Sequence, residues 1–597
     1  MMRRFIAGGA AAVLFLGLQT TSAFAGDTVT PSPGTHTFTT EDRMVQVVDG
    51  PTNTHQATID TRLYRPDNAT VKSPQPAVLM THGFGLNKLS AEVVNMASFL
   101  ASHGYVVLTY TAQGFGESSG CIALQSRTYD VKDASQLITH VLEPNSWVKR
   151  DKKGVVVGMV GGSYGGGIQA NLAESDNRIR AINPYRTWNN LQFSLDPNNY
   201  VAAGDATGFD HTLNKQGVFK RMWTSLFFAA GQQEPANGNG GCTDEPPAVP
   251  PCLGFYSQTC TTYARLNATG DAADEDRSFI ADSSGSTEIS KLRVPTLLVQ
   301  GQHDTLFNVN DAAATYTALK RNGVPVSMIW NWGGHGGYNS QPGECEDFAG
   351  GGASTYQAFD SCYLPLRTLS FLDKWLRGKS DPHPGFTWFR DWTDYSGTGP
   401  TTAYSGASSF PAGSTTTYTL SGTDKLVGSG AIVGTSTIVN PAGGEPAAYT
   451  ETSNFSGPSS SPNLAQAPTD IPGQHADFTT APFASDVTSV GVPSLRVRLS
   501  HVAPTDLVLF AKAWDVAPDG TATLINRHIA PARIPSSALG APVEIKLIGF
   551  AHRFSAGHSF RLTLATTDQT SSNNVVPDAI TVASGPGSTL TLPTGAN

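Results

Sequence analysis

The chain has 597 residues and carries 48 acidic against 39 basic side chains, which gives a formal net charge of −9. This length is enough for two or three domains, and the acidic balance argues against a nucleic-acid partner. The first 25 residues contain Arg3 and Arg4, an apolar run over residues 5–18, and Ala23-Phe24-Ala25. This pattern is typical of a secretory signal peptide and not of a membrane span. We therefore expect residues 1–25 to be removed and the protein to be exported, without stable membrane insertion.

The six cysteines favour disulfide bonds, because an exported chain with an even cysteine count meets an oxidising compartment. Their pairing cannot be read from the sequence. Cys242, Cys252 and Cys260 lie close together, and Cys345 and Cys362 lie within one predicted loop, which favours local bridges. A zinc cluster is the alternative, but no C-x-x-C motif or paired histidine supports it. No metal or cofactor is predicted.

Regular hydrophobic periodicity begins near residue 46. Residues 46–48 and 57–64 alternate as half-buried strands do. Further along, apolar runs that predict buried strands alternate with apolar residues at helical spacing, which is the pattern of a parallel sheet covered on both faces. The predicted strands span residues 76–80, 105–110, 155–160, 178–183, 294–300 and 326–330, and the predicted helices span residues 89–103, 131–141, 311–321 and 364–376.

The periodicity is interrupted over about residues 190–290. This segment is rich in aromatic residues early and in Gly, Pro and Cys later, and residues 195–290 hold twelve acidic against five basic side chains. Long insertions inside a sheet domain are usually functional, so we interpret residues 191–290 as an inserted lid. After residue 385, short alternating runs among Ser, Thr, Gly and Pro predict an all-β sandwich or jelly roll over residues 386–597. Within it, residues 400–465 predict no strand.

A glycine-rich stretch follows the strand predicted over residues 155–160. It reads Gly161-Gly162-Ser163-Tyr164-Gly165, which is G-x-S-x-G at a turn from a strand into a helix. Such a turn strains the serine backbone and leaves no room for side chains two positions before and after it. The hydroxyl then lies exposed beside the N-terminus of the helix. Taken alone, the motif also fits a plain glycine-rich connection with a capping serine.

Two further residues complete a catalytic pattern, because a serine hydroxyl needs an adjacent base and the base needs an orienting carboxylate. Asp304 follows the strand predicted over residues 294–300, and His335 follows the next strand. The order Ser, Asp, His, each after a strand, is that of the α/β-hydrolase fold. Ser163, Asp304 and His335 are therefore the predicted triad. Singly, Asp304 also suits a helix cap and His335 an ordinary loop histidine.

The tetrahedral intermediate of acyl transfer needs two N–H donors that are already in place. One predicted donor is the backbone N–H of Tyr164, directly after the nucleophile. The other is the backbone N–H of Phe84, in the loop His82-Gly83-Phe84-Gly85 that follows the strand predicted over residues 76–80. A tight glycine turn without a catalytic role is the alternative for this loop.

These residues give an α/β-hydrolase domain over residues 26–190 and 291–385 with the inserted lid, followed by the C-terminal β domain. The chain resembles the X-Pro dipeptidyl-peptidase and cocaine-esterase family of serine hydrolases over about residues 76–380 and 475–565. The resemblance implies this fold, the triad roles and a C-terminal jelly roll. The matching motifs are Gly161-Gly-Ser-Tyr-Gly-Gly-Gly-Ile-Gln169, Gln113-Gly-Phe-Gly-Glu-Ser-Ser-Gly120, Gly301-Gln-His-Asp304, Phe371-Leu-Asp-Lys-Trp-Leu-Arg-Gly378, Phe478-Thr-Thr-Ala-Pro-Phe483, Ala513-Trp-Asp-Val-Ala-Pro-Asp-Gly520 and Phe554-Ser-Ala-Gly-His-Ser-Phe-Arg-Leu562.

The chain departs from the family at two places. Members usually carry an Asp-x-Arg-Gly loop before the nucleophile motif, where this chain has Thr111-Ala112-Gln113. Many use a tyrosine hydroxyl as one oxyanion donor, whereas the loop around Phe84 favours a backbone donor. These differences concern substrate specificity and leave the predicted fold and nucleophile unchanged.

Two substrate classes fit the predicted mechanism, both of them small peptide or ester molecules. A dipeptidyl-peptidase must bind a free α-ammonium group, and acidic lid residues such as Asp205, Asp210 and Glu234 are candidates for it. A carboxylesterase needs only an apolar acyl pocket, which the lid aromatics supply. A third alternative is a non-catalytic protein of the cell surface that binds glycans. A fourth is an active hydrolase whose β domain binds a glycan.

A few other polar residues in the sequence draw attention, and we assign them no function. Asp271, Asp274 and Asp276 suggest a calcium loop but lack its glycine and terminal glutamate, so we interpret them as a solvated acidic run. We interpret His303, His552 and His558 as bystanders.

Overall fold

The computed structural model describes residues 26–232, 252–335, 343–344, 355–393, 402–450 and 467–596. The predicted signal peptide lies outside these residues, as do Cys242, Cys345 and Glu234. No helix in the described part of the chain is long and apolar enough to cross a membrane.

A ten-stranded mixed sheet forms the core of the N-terminal part, in the strand order β1-β2-β4-β3-β5-β6-β7-β8-β9-β10. The strands from β4 to β9 run parallel to one another, whereas β1, β2 and β10 pair antiparallel at the two edges. The strands are β1 (Phe38–Asp49), β2 (His55–Pro66), β3 (Ala77–Thr81), β4 (Val106–Tyr110), β5 (Val157–Gly162), β6 (Ile179–Tyr185), β7 (Thr296–Gly301), β8 (Val326–Asn331), β9 (Phe386–Phe389) and β10 (Tyr404–Ala407).

Helices cover both faces of this sheet. An apolar cluster joins the sheet to α1 and α9 on one face, and a second cluster joins it to α2, α3 and α8 on the other. Strands β3, β4, β5 and β7 are buried along their whole length, as strands covered on both faces must be. The predicted parallel sheet with helices on both faces is confirmed. These helices are α1 (Ala91–Ser102), α2 (Asp130–Leu137), α3 (Tyr164–Ser175), α8 (Val309–Arg321) and α9 (Tyr363–Leu372).

The segment between β6 and β7 is more regular than the sequence indicates. Its described residues include four α-helices, α4 (Leu191–Leu195), α5 (Arg221–Gly231), α6 (Ser257–Thr269) and α7 (Asp274–Ala281). Weak periodicity conceals them because α6 is mostly polar and α7 is short and begins with three acidic residues. A disulfide between Cys252 and Cys260, with Cα atoms 5.9 Å apart, ties the start of α6 to the segment before it. A local bridge in the lid is therefore confirmed.

The interpretation of Asp276 as a solvated residue is wrong. Its carboxylate is 1% exposed and accepts hydrogen bonds from Thr262 Oγ1 (2.8 Å) and from the backbone N–H of Ala273 (2.9 Å). Arg265 of α6 donates to the same carboxylate at 2.8 Å. Asp276 therefore fixes the start of α7 against α6, which a count of acidic residues along the sequence does not reveal.

The C-terminal part contains an eleven-stranded, mostly antiparallel sheet. Ten of its strands follow the order β13-β22-β16-β23-β11-β12-β14-β21-β17-β18, and the eleventh, β19, pairs with β16. Strands β15 and β20 form a separate two-stranded sheet. The predicted all-β architecture is confirmed. The strands are β11 (Ser414–Ser421), β12 (Lys425–Val427), β13 (Gly434–Asn440), β14 (His475–Thr480), β15 (Val487–Gly491), β16 (Ser494–His501), β17 (Leu507–Val516), β18 (Ala522–Ile534), β19 (Val543–Lys546), β20 (Phe550–Phe554), β21 (Ser559–Ala565), β22 (Asp578–Ser584) and β23 (Thr589–Thr594).

Two strand assignments differ from the sequence analysis. The described part of residues 400–465 contains four strands where none is predicted, because Ser- and Thr-rich runs such as β11 and β13 form strands without an apolar alternation. In addition, β9 and β10 pair with the first sheet, although both lie within the range predicted for the C-terminal domain.

Candidate active site

Ser163 occupies a sharp turn between β5 and α3. Its backbone has φ 52° and ψ −117°, a strained combination for a residue with a side chain. A Cβ atom at Gly165 would lie 2.3 Å from the carbonyl oxygen of Thr81 in β3, so only glycine fits there. The motif is therefore required by backbone crowding, and the turn presents the serine hydroxyl at the carboxyl edge of the sheet.

The buried side chain of Gln169 holds this turn in place. Its side chain is fully buried and its Nε2 donates to the carbonyl oxygens of Gly161 and Gly165, each at 3.2 Å. Its Oε1 accepts from the backbone N–H of Asn183 in β6 at 3.0 Å. The glutamine thus ties the end of β5 and the first turn of α3 to the neighbouring strand β6.

The structure brings Ser163, Asp304 and His335 into one hydrogen-bonded chain. His335 Nε2 lies 2.9 Å from Ser163 Oγ, and His335 Nδ1 lies 2.6 Å from Asp304 Oδ2. The other carboxylate oxygen, Oδ1, accepts the backbone N–H groups of Leu306 (3.1 Å) and Phe307 (2.8 Å). Because a carboxylate only accepts, His335 carries its proton on Nδ1 and leaves Nε2 as the acceptor for the serine hydroxyl.

Two aromatic rings shield the imidazole of His335. Phe307 and Trp223 of α5 both lie edge-on to it, with ring centroids 5.3 Å and 6.4 Å away. The histidine side chain is 16% exposed and the Asp304 side chain is fully buried. Low local polarity strengthens the hydrogen bond between them, and part of that environment comes from the lid.

The two predicted oxyanion donors lie on either side of the serine. Tyr164 is the first residue of α3, where backbone N–H groups have no partner inside the helix. The Phe84 loop lies close to the serine, since a Cβ atom at Gly83 would be 4.0 Å from Ser163 Cβ. The Phe84 and Tyr164 rings meet edge-to-face at 5.6 Å. Neither backbone N–H donates to a residue that the structure describes.

His82 fixes the conformation of the Phe84 loop. Burial lowers its pKa to about 4, so the imidazole is neutral at neutral pH. Its Nε2 accepts the backbone N–H of Ala112 (3.0 Å), and its Nδ1 donates to the carbonyl of Gly83 (2.7 Å). The histidine is therefore a structural support for the loop.

An apolar cavity of about 110 Å³ lies beside Ser163. Ten of its twenty lining residues are aromatic, most of them from the lid, and none of the twenty is charged. The hydroxyls of Thr224, Thr262 and Tyr263 in its wall donate hydrogen bonds to other protein groups. The wall therefore presents an apolar surface to whatever is bound against the serine hydroxyl.

A buried acidic cluster lies on the other side of Tyr164, where Gln113 stands in place of the arginine that the resemblance leads us to expect. Gln113 Nε2 donates to Asp49 Oδ2 (2.6 Å) and to Asp133. Asp130 and Asp133 are each 2% exposed, and burial raises the pKa of Asp130 to about 7. Burial, together with Asp49, also raises the pKa of Asp133. An amide cannot neutralise these acids as a guanidinium would.

We expect this cluster to make the fold less stable as the pH rises. The ordinary pKa of Asp130 is 3.8, so the folded state binds this proton more tightly than the unfolded chain does. Its stabilising contribution is complete below about pH 4 and is lost as the pH rises through 7, by at most about 1.4 kcal/mol per pH unit. The thermal midpoint of Asp130→Asn should therefore fall less between pH 5 and pH 8 than that of the wild type. Equal falls would contradict the assignment.

Comparisons with known proteins show the family to which the chain belongs. A serine, a histidine and an aspartate linked at the strand ends of an α/β sheet are the arrangement of a serine hydrolase. Residues 55–337 match the family model described as X-Pro dipeptidyl-peptidase (S15 family). Residues 381–584 match the model of the X-Pro dipeptidyl-peptidase C-terminal non-catalytic domain. The chain belongs to this family of serine hydrolases. No curated protein sequence matches it.

Solved structures share the whole architecture at low sequence identity. An α-amino acid ester hydrolase superposes with a TM-score of 0.62 at 15% identity, covering 98% of this chain and 100% of its own. An aminopeptidase from a marine sediment Thaumarchaeota archaeon gives 0.61 at 13%, covering 94% and 97%. A CocE/NonD family hydrolase from Staphylococcus aureus gives 0.59 at 14%, covering 94% of each chain. At these identities the likeness concerns the fold alone.

Several residues around the predicted triad are not indicated by any motif in the sequence. Lys220 and His528 contact the loop that carries Asp304 from two different parts of the chain, and Gln302 on that loop contacts Phe389. Lys220 had one local signal, since it stands next to Val218-Phe219 within an aromatic segment. His528 lies 226 positions from its partner, and no local pattern indicates such a contact.

Proposed function

We propose that this protein hydrolyses carboxylic esters with an apolar acyl group, using Ser163 as nucleophile. Ser163 Oγ bonds to the acyl carbon as His335 Nε2 takes its proton, and the same proton then passes to the departing alcohol. Asp304 orients the imidazole and stabilises its charged form. The N–H groups of Phe84 and Tyr164 bind the oxyanion. Water then releases the acid by the same steps in reverse, and no cofactor is required.

The observation that carries this proposal is the uncharged wall of the cavity at Ser163. An α-ammonium group bound there would lose its hydration without gaining a carboxylate from any of the lining residues, which is strongly unfavourable. An apolar acyl chain gains from the same wall through burial against aromatic rings. The site therefore suits a neutral acyl group better than the free N-terminus of a peptide.

Two of the three acidic lid residues named for the peptidase hypothesis are described, and both lie away from the cavity. Asp205 accepts hydrogen bonds from the backbone N–H groups of Thr207, Gly208 and Asp210 within its own loop. Neither Asp205 nor Asp210 lines the cavity at Ser163. Glu234, the third candidate, lies outside the described residues. The family match favours peptidase activity as the second candidate function, because its description names X-Pro dipeptides.

Export from the cell is part of the proposal. The pattern of residues 1–25 supports it, and so does the Cys252–Cys260 disulfide, since such bonds persist in oxidising compartments. Cys121 and Cys362 are disulfide-bonded as well.

Turnover of p-nitrophenyl butyrate and of Ala-Pro-p-nitroanilide separates the two candidate functions. We expect the ester to be hydrolysed and the anilide to be cleaved at least about 100-fold more slowly in kcat/KM, because none of the residues described in the cavity wall pairs with an ammonium group. The Ser163→Ala variant is the control and should hydrolyse neither. Rapid cleavage of the anilide that disappears when its amino group is acetylated would establish the peptidase function instead. Ester hydrolysis that survives in Ser163→Ala would contradict the triad.

A further inference from the structure

The loop that carries Asp304 is held on one side by the C-terminal domain. The backbone carbonyl of Gln302 accepts a hydrogen bond from His528 Nε2 at 2.7 Å. The Gln302 side chain accepts at Oε1 from the backbone N–H of Ala551 (3.0 Å) and donates from Nε2 to the carbonyl of Phe389 (2.9 Å). Gln302 is 3% exposed, so these bonds are not exchanged with water. The two domains therefore meet two residues before Asp304.

The same loop is held on its other side by the lid. Lys220 Nζ donates to the carbonyl oxygens of Thr305 (2.9 Å) and Leu306 (2.7 Å). The backbone N–H of Leu306 in turn donates to Asp304 Oδ1. The ammonium group thus binds the carbonyl oxygens of the same two peptide units whose N–H groups, from Leu306 and Phe307, bind the Asp304 carboxylate. A shift of the Lys220 side chain would move the donors that fix Asp304.

Lys220 also brings a positive charge to this loop. Among the described residues, the titratable groups around Asp304 and His335 are His303 on the same loop, Asp311 of α8, His528, Lys220 and Arg186, whose guanidinium donates to the carbonyl of Gly334. Burial lowers the pKa of both His303 and His528 to about 4, so both are neutral at neutral pH. A neutral His528 must carry its proton on Nε2 to donate to a carbonyl, and it adds no charge.

We propose that Lys220 and His528 are positioning residues for Asp304, so that the lid and the C-terminal domain together set the geometry and charge of the catalytic acid. The inference rests on the proposed role of Asp304 in ester hydrolysis. Lys220 immediately precedes α5, and Phe219 and Phe227 on either side of it line the acyl cavity. One segment of the lid therefore contacts both the acyl cavity and the loop that carries Asp304. The C-terminal domain thereby contributes to activity through the contact of His528 with the Asp304 loop.

The lysine is tested by its effect on the pH dependence of kcat/KM for p-nitrophenyl butyrate. In Lys220→Met, we expect kcat to fall about 10-fold. The acid limb of the profile should move to higher pH by about 0.5 to 1 unit, because a nearby cation opposes protonation of the catalytic base His335 and the variant removes that cation. Lys220→Arg should restore the wild-type limb. Arg221→Met is the matched control, since the Arg221 side chain donates to Ser572 Oγ in the C-terminal domain and should leave the limb unchanged.

Lys220→Gln decides the question if Lys220→Met does not fold, because glutamine keeps a donor and removes only the charge. A wild-type limb and a wild-type kcat in the neutral variants would overturn the role of Lys220. An equal shift in Arg221→Met would overturn it as well, since the effect would then be one of overall charge. Asp311 is a second candidate for the group that titrates on the acid limb, because burial raises its pKa to about 7. Repeating the pH profiles in an Asp311→Asn background therefore shows whether the acid limb reports protonation of His335.

The histidine is tested by rescue. We expect His528→Leu to lower kcat about 10-fold with KM unchanged within twofold, and His528→Gln to recover most of the loss because its amide can donate to the Gln302 carbonyl. Asn198→Ala is the control, since Asn198 exchanges two hydrogen bonds with the backbone of Arg533 across the interface between the lid and the C-terminal domain. It should lower the thermal midpoint and leave kcat unchanged. A wild-type kcat in His528→Leu, or the same kcat loss in Asn198→Ala, would overturn the role of His528.

Failure of this inference and failure of the proposed function give different results. If Ser163→Ala stays active on the ester, the catalytic assignment is wrong and so is the positioning role derived from it. If Ser163→Ala is inactive while all the Lys220 and His528 variants retain wild-type kcat and pH profiles, the proposed function stands and only this inference is wrong.

Discussion

Replacing Asp304 by asparagine is expected to lower kcat about 10⁴-fold, the loss found when the orienting aspartate of a serine hydrolase triad becomes an amide. The structure gives the reason. Oδ1 accepts two backbone N–H groups, from Leu306 and Phe307, so the amide of Asp304→Asn would turn its oxygen to them and its NH₂ group to His335. The imidazole would then carry its proton on Nε2 and could not accept the proton of Ser163.

The measurement is kcat for p-nitrophenyl butyrate in wild type, Asp304→Asn and Ser163→Ala, together with the thermal midpoint of each. The side chains of Asp304 and Asn are nearly the same size, so we expect the midpoint to change little compared with the loss of rate. A rate in Asp304→Asn within tenfold of the wild type, at an unchanged midpoint, would show that another group orients His335.

Replacing Gly165 by alanine is expected to abolish activity and to destabilise the fold by at least about 3 kcal/mol, the upper range for overpacking. The added methyl group would lie 2.3 Å from the oxygen and 2.8 Å from the carbon of the Thr81 carbonyl, and neither is the end of a flexible side chain. Because Thr81 directly precedes the loop that carries Phe84, relief of the clash must move the nucleophile turn away from the oxyanion donor.

Gly428→Ala is the matched control, since a Cβ atom there meets nothing within 4 Å. Its thermal midpoint and its kcat should equal those of the wild type. Wild-type activity and stability in Gly165→Ala would mean that the turn has another conformation in solution.

The sequence could predict the residues of the site that lie at the ends of strands. Each of Ser163, Asp304 and His335 directly follows a short apolar run, and parallel strands bring their carboxyl ends to one edge whatever the helices between them do. The G-x-S-x-G spacing is likewise fixed by a local clash, at Gly165, so it is written in adjacent residues. The structure places these predicted residues in hydrogen-bonding contact.

The lid and the interface were not predictable in the same way. Helices α6 and α7 are stabilised by contacts such as those of Asp276 with Thr262 and Arg265, which replace the apolar periodicity on which prediction depends. Lys220 and His528 reach the Asp304 loop across 85 and 226 positions of the chain, and contacts of that range leave no local pattern. The sequence shows that the lid is acidic, but it does not show whether the acidic side chains point into the cavity. None of the acidic lid residues that the structure describes lines the cavity wall.

Labelling with an alkyl fluorophosphonate, followed by peptide mapping, tests the central claim most directly. The reagent forms a bond only with a serine whose hydroxyl is activated by a base, and a short apolar alkyl group fits the cavity beside the nucleophile. We predict one adduct, on Ser163, that forms in parallel with loss of esterase activity, is absent from Ser163→Ala and forms much more slowly in Asp304→Asn. An adduct on another serine, or full loss of activity without modification of Ser163, would contradict the account.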